Sequence, residues 1–70
     1  MRKRQVAISI PVAQDQRALW VAIESGRGFT VRFWNSAGEL RTRASIGLDE
    51  LNNVIMEARR MGYQISDLMI

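Results

Sequence analysis

The chain contains no cysteine and no histidine, and only one proline, one tyrosine and one lysine. Without cysteine there is neither a disulfide staple nor a thiolate metal site. Without histidine the commonest general base and metal ligand is missing. The acids (Asp15, Glu24, Glu39, Asp49, Glu50, Glu57 and Asp67) are scattered without metal-ligand spacing, and no glycine-rich phosphate loop leads into a helix. These absences argue against an enzyme and leave no recognisable place for a cofactor. No apolar run approaches the length of a membrane span. The start, Met1-Arg2-Lys3-Arg4 followed by VAISIPVA, resembles a signal peptide only superficially. Its apolar stretch is short, is interrupted by Ser9 and Pro11, and alternates like a strand. A cytoplasmic protein is expected, the cytoplasm of a phage-infected cell included.

What remains is a single domain of 70 residues, 47% of them hydrophobic. A chain this short buries only about 60% of its unfolded surface, so it needs help to be stable. With no disulfide or metal available, oligomerisation supplies that help, and a homodimer is expected. Nine arginines and one lysine stand against seven acids, giving a net charge of +3. The bias toward arginine matters because guanidinium stacks on rings and forks onto phosphates, whereas lysine is a hydrated point charge. A small basic domain of this kind points toward nucleic acid.

Read in order, residues 1–5 form a basic arm that either grips phosphate or is a frayed terminus. Val6, Ile8, Ile10 and Val12 alternate as a first strand, and Pro11 places it at an edge or ends it. Gln14-Asp15-Gln16 is a turn. In the second strand, about Arg17–Glu24, Leu19, Val21 and Ile23 are read as core, with Ala18, Trp20, Ala22 and Glu24 facing out. A three-residue loop, 25–27, then sets Ile23 against Phe29, Val21 against Val31 and Leu19 against Phe33. Phe29, Val31 and Phe33 share one face of the third strand, and Thr30, Arg32 and Trp34 the other. Asn35-Ser36-Ala37-Gly38 is turn chemistry. The returning strand places Phe33 opposite Leu40, Arg32 opposite Arg41 and Thr30 opposite Arg43.

After Ile46-Gly47 the period changes. Leu48, Leu51, Val54, Ile55, Ala58 and Met61 recur at helical spacing, so 48–62 is a helix with Asp49 as N-cap and Gly62 just past its end. The tail 63–70 is apolar to its last residue and must pack over the core or against a second subunit. The expected fold is α+β: a four-stranded antiparallel sheet (6–47) followed by one C-terminal helix, β-β-β-β-α.

On this reading the outward face gathers Trp20, Trp34, Arg32, Arg41 and Arg43. Indole rings suit unstacked bases and arginines suit phosphates, and duplex DNA exposes no base faces. The alternative is that the tail or a dimer interface covers both tryptophans, with arginines snorkelling around them.

The stretches Arg17–Glu24, Ser25-Gly26-Arg27-Gly28, Val31-Arg32-Phe33-Trp34, Gly38-Glu39-Leu40-Arg41, Arg43 and Ile46-Gly47-Leu48, with the helix after them, resemble the positive cofactor four family of single-stranded-DNA-binding transcription coactivators. The likeness covers about two-thirds of the chain. It implies a curved four-stranded sheet backed by the helix, and a dimer presenting aromatic and basic residues to two antiparallel single strands. Carried over by position, Arg27 sits at a basic turn, Arg32 and Trp34 on the binding strand, and Arg41 and Arg43 at basic residues before the helix. The family's Pro-Gly is replaced here by Arg41-Thr42-Arg43-Ala44.

The expected function is therefore binding of single-stranded DNA or RNA with low sequence specificity, in transcription, replication or recombination. The expected site is Trp20, Arg27, Arg32, Trp34, Arg41 and Arg43, with no metal. Two rival readings use the same residues. One is a sheet that enters a duplex groove. The other is a small protein-interaction module, for instance a phage-encoded inhibitor docking a host protein.

Overall fold

The computed structural model describes the backbone of every residue except 1, 36 and 39, and the side chains of those residues outside 40–44. Among the described residues the elements run β1 (Arg4–Ala13), β2 (Gln16–Ser25), β3 (Gly28–Trp34), β4 (Leu40–Ile46), α1 (Leu48–Arg60) and β5 (Gln64–Met69). The sheet is antiparallel, in the order β4-β3-β2-β1-β5. The α+β class with one helix is as expected, but the sheet has a fifth strand. The tail neither caps the core nor hangs free; Gln64–Met69 pairs along β1 from Ser9 to Arg4. Only Ile65 in this strand is β-branched or aromatic and Asp67 is disfavoured there, so the strand follows from tertiary pairing more than from its own composition.

That pairing also changes the place of β1. It lies inside the sheet, between β2 and β5. Pro11 is tolerated because β5 begins opposite Ser9, so no neighbour on that side asks for its missing N–H. The expected arm is tied down as well. Lys3 and Ile70 exchange both backbone hydrogen bonds at 2.7 Å, and the Arg4 guanidinium donates to both carboxylate oxygens of Asp67, at 3.0 and 2.7 Å.

The hairpin between β2 and β3 has a two-residue loop, Gly26-Arg27, closed by Ser25 opposite Gly28. Gly26 has φ +61 and Arg27 is not left-handed, the type II′ pattern with glycine at the first central position. This loop is one residue shorter than the three-residue turn expected, so every pair in the ladder differs. Ala22 meets Val31, Trp20 meets Phe33, and Leu19 meets Trp34. The parity of β2 is thus the reverse of the expected one. Ala22 lies in the core with Val6, Ile8, Phe29, Val31, Ile46, Leu51, Ile55 and Ala58, with Trp20 packed against it. Ala18 and Ala22 are buried on the helix side, and the bulkier Leu19 and Val21 point to the opposite face.

The β3–β4 ladder differs too. Trp34 opposes Leu40, Phe33 Arg41, Arg32 Thr42, and Val31 Arg43, where Arg32 was expected opposite Arg41. The turn before β4 includes Ser36 and Glu39, which lie outside the described residues. Between Val31–Arg43 and Phe29–Ile46, Ala44 and Ser45 stand against Thr30 alone, the two-against-one count of a β-bulge. The bulge returns Ile46 to the core despite the shifted register. There Gly28 passes so close that a Cβ would sit 2.6 Å from the Ile46 carbonyl oxygen.

The helix keeps nearly its expected span. Gly47, not Asp49, is its N-cap, and Asp49 and Glu50 lie in the first turn, where carboxylates suit the positive end of the dipole. Its other end is a Schellman closure. The Tyr63 N–H reaches the Ala58 carbonyl at 2.9 Å and the Gly62 N–H the Arg59 carbonyl at 3.0 Å, with Gly62 at φ +78. Leu51, Ile55 and Ala58 form the buried stripe against the sheet.

Candidate nucleic-acid interface

Strand alternation together with a helix on one side divides the residues of interest between two surfaces. The face opposite the helix carries Trp34 and Arg32 on β3, Leu19, Val21 and Ile23 on β2, and Ala7 on β1, since residues opposed in the ladder share a face. Trp34 is half-buried and stands across from Leu19, which is 41% exposed. Val21 lies between Ala7 and Arg32 in the ladder and is only 6% exposed, although it is outside the core packed on the helix. This face is therefore a largely apolar floor carrying the Trp34 indole and two guanidiniums, Arg32 and Arg17, the latter opposite Pro11 and donating to Ser9 Oγ at 3.4 Å.

Arg32 is exposed and forms no ion pair or hydrogen bond among the described residues. It lines a shallow depression of about 310 Å³ with Lys3, Ile23, Glu24, Ser25 and Thr30. Two residues on, Trp34 projects from the same face about 6.6 Å further along the strand. Other arginines are already engaged. Arg4 holds Asp67, and Arg60 holds Glu57 one turn earlier on the helix. Those contacts raise both guanidinium pKa values and lower the two carboxylates, chiefly through the hydrogen bonds themselves.

Trp20 does not join this surface. It faces the helix, packs against the core, and forms one wall of a cleft of about 600 Å³ with Ile8, Ile10, Val54, Met61 and Tyr63. The two tryptophans expected on one platform thus stand on opposite sides of the sheet. Arg27 is exposed at the tip of the β2–β3 hairpin, beside a depression shared with Arg4, Glu24, Phe29 and Leu48. Arg41 and Arg43, expected on the outward face beside Arg32, instead oppose Phe33 and Val31 at register positions of the helix-side face, and their side chains lie outside the described residues. The outward face expected to gather Trp20, Arg32 and Arg41 does not form, because the ladder runs Trp20–Phe33–Arg41 and Val21–Arg32–Thr42.

Sequence reasoning missed the Leu19–Val21–Ile23 floor and the cleft at Tyr63. The first was within reach, because Ser-Gly-Arg-Gly fits a two-residue hairpin, which inverts the parity of β2. Among the described residues no group of acids is placed to hold a metal ion, and no helix is long and apolar enough to cross a membrane. Comparison with protein-family models, curated proteins and solved structures finds no match to this chain.

Proposed function

We propose that this chain is a non-catalytic binding module for single-stranded nucleic acid, DNA or RNA, of low sequence specificity, serving transcription, replication or recombination. The observation that carries the reading is the pairing of Trp34 with the unengaged Arg32 on the face the helix leaves open. A base stacks on the indole while the guanidinium takes the adjoining phosphate. Arg27 at the hairpin tip adds to the attraction for the backbone, while Arg41 and Arg43, at register positions of the helix-side face, are not counted in the contact. Trp20 has no part in the contact.

The test is fluorescence anisotropy with labelled single-stranded DNA and RNA over a series of salt concentrations, with duplex as competitor. Affinity falls with salt at a log–log slope of about −0.7 per phosphate contacted. A flat salt response, or a duplex that competes equally well, would remove this reading.

The cleft between Trp20 and Tyr63 favours a second reading, in which an apolar side chain of a protein partner is seated there. The two readings separate cleanly: Trp20→Leu leaves oligonucleotide affinity intact under the first and abolishes partner binding under the second.

A further inference from the structure

The two edges of the sheet are unlike. An exposed edge strand offers unpaired backbone groups to any other strand, and proteins guard such edges with basic residues, prolines or bulges. The β4 edge has two arginines in its sequence and a bulge in its ladder. The β5 edge, Gln64-Ile65-Ser66-Asp67-Leu68-Met69, has no basic residue, no proline and no bulge. It carries exposed apolar side chains: Leu68 is 52% and Met69 58% accessible, and Ile70 beyond them 56%.

The ladder to β1 shows which groups are free. Lys3 and Ile70 exchange both hydrogen bonds, and bonded and non-bonded pairs alternate along an antiparallel ladder. Leu68 and Ser66 therefore turn their N–H and C=O toward β1, and Met69, Asp67 and Ile65 turn theirs toward the open edge. Asp67 is the one charged residue of the strand, and Arg4 already neutralises it.

We infer that β5 pairs with β5 of a second copy of this chain, antiparallel about a two-fold axis through Leu68. In that register Leu68 lies against its own counterpart, and Asp67 exchanges backbone bonds with Met69 of the second copy. No two carboxylates oppose one another. A two-fold axis perpendicular to the sheet keeps both helices on one side, so the two open faces become one continuous surface. A marginal small domain gains burial this way without cysteine or metal. The inference does not rest on nucleic-acid binding.

The experiment is sedimentation equilibrium of the full chain without nucleic acid, over a wide concentration range. The expected result is a mass twice the 8.0 kDa of the chain. Leu68→Lys, which sets like charges together at the axis, returns it to the single-chain mass, while Met56→Lys on the exposed side of the helix leaves the dimer intact. Should Leu68→Lys lose its far-UV circular dichroism, a synthetic chain N-methylated at Asp67 decides. That methyl blocks one outward donor and touches no bond to β1, so the expected product is a folded monomer. A wild-type chain monomeric at every concentration overturns the inference. So does a dimer that persists in the folded edge variant.

Discussion

Trp20 stands directly across from Phe33, so Trp34, one residue along β3, rises from the other side of the sheet. Two residues of the same type therefore have different work. One closes the side of a core and the other stands on an open floor.

This separation gives the sharpest prediction. Trp34→Ala weakens oligonucleotide binding by roughly 1–3 kcal/mol, the range for losing one stacked base, and leaves the melting curve almost unchanged. Trp20→Ala lowers stability by about 2–3 kcal/mol, somewhat under the usual cost for a fully enclosed tryptophan because Trp20 is only partly enclosed. Paired urea melts and anisotropy titrations of both variants check it. The reverse assignment of effects would show that the faces have been exchanged.

Gly28→Ala strains the junction of β3 and β4. The added methyl meets a backbone oxygen, Ile46 O, at 2.6 Å, and backbone cannot rotate aside as a side chain can. A loss of roughly 1–3 kcal/mol is expected, as for other overpacked sites. The nearby Gly26 has open space around it, so Gly26→Ala suffers from its left-handed φ alone and should cost less than Gly28→Ala. Urea midpoints of the two variants give the order.

Gly62→Ala tests the helix terminus. With φ +78 the position is left-handed and has no steric neighbour, so the change isolates backbone preference. About 1 kcal/mol of destabilisation is expected. Removing the bulk of Leu51, which is fully buried, to alanine should cost roughly 2–5 kcal/mol by comparison.

The pairing of Arg4 with Asp67 makes stability respond to acid. The hydrogen bonds from Arg4 hold the Asp67 carboxyl below its ordinary value, with the charges of Arg4 and Arg59 adding to the effect. A carboxylate with a depressed folded pKa stabilises the fold above its unfolded value, near 3.9 for aspartate, and that contribution disappears as pH falls through the folded value. The side chains are 28% and 42% exposed, so solvent screening limits the contribution to about 0.2–1 kcal/mol. Asp67→Asn should remove this part of the acid dependence and leave the remainder. Thermal melts of both chains at neutral pH and in the acid limb measure the difference.

How far the residues announced this structure depends on the element. The helix was legible because Leu51, Ile55 and Ala58 keep one period and Gly62 supplies a left-handed stop. The hairpins were legible from Asp15, Gly26 and Gly38, each at positive φ. The facing of β2 was not, because Ala18-Leu19-Trp20-Val21-Ala22-Ile23 is apolar at both parities. Bulk suggested Leu19, Val21 and Ile23 for the interior, whereas the two-residue Gly26-Arg27 loop turns Ala18, Trp20 and Ala22 toward the helix side. The bulge at Ala44-Ser45 has no glycine to mark it, and β5 has too few strand-forming residues to declare itself. Of the candidate site residues, Arg32 and Trp34 share one face of β3 as expected, Trp20 was lost with the parity of its strand, and Arg41 and Arg43 with the shifted β3–β4 register.

One seam in the sheet joins distant parts of the chain. Each of β1 to β4 meets the next strand in sequence through a short turn, so those three hairpins close within a few residues. The β1–β5 seam is different, since the partners Arg4 and Asp67 are 63 positions apart. Closing a long loop costs more entropy than closing a hairpin, so the three hairpins are expected to form before β5 joins β1, an order that pulsed hydrogen exchange reads.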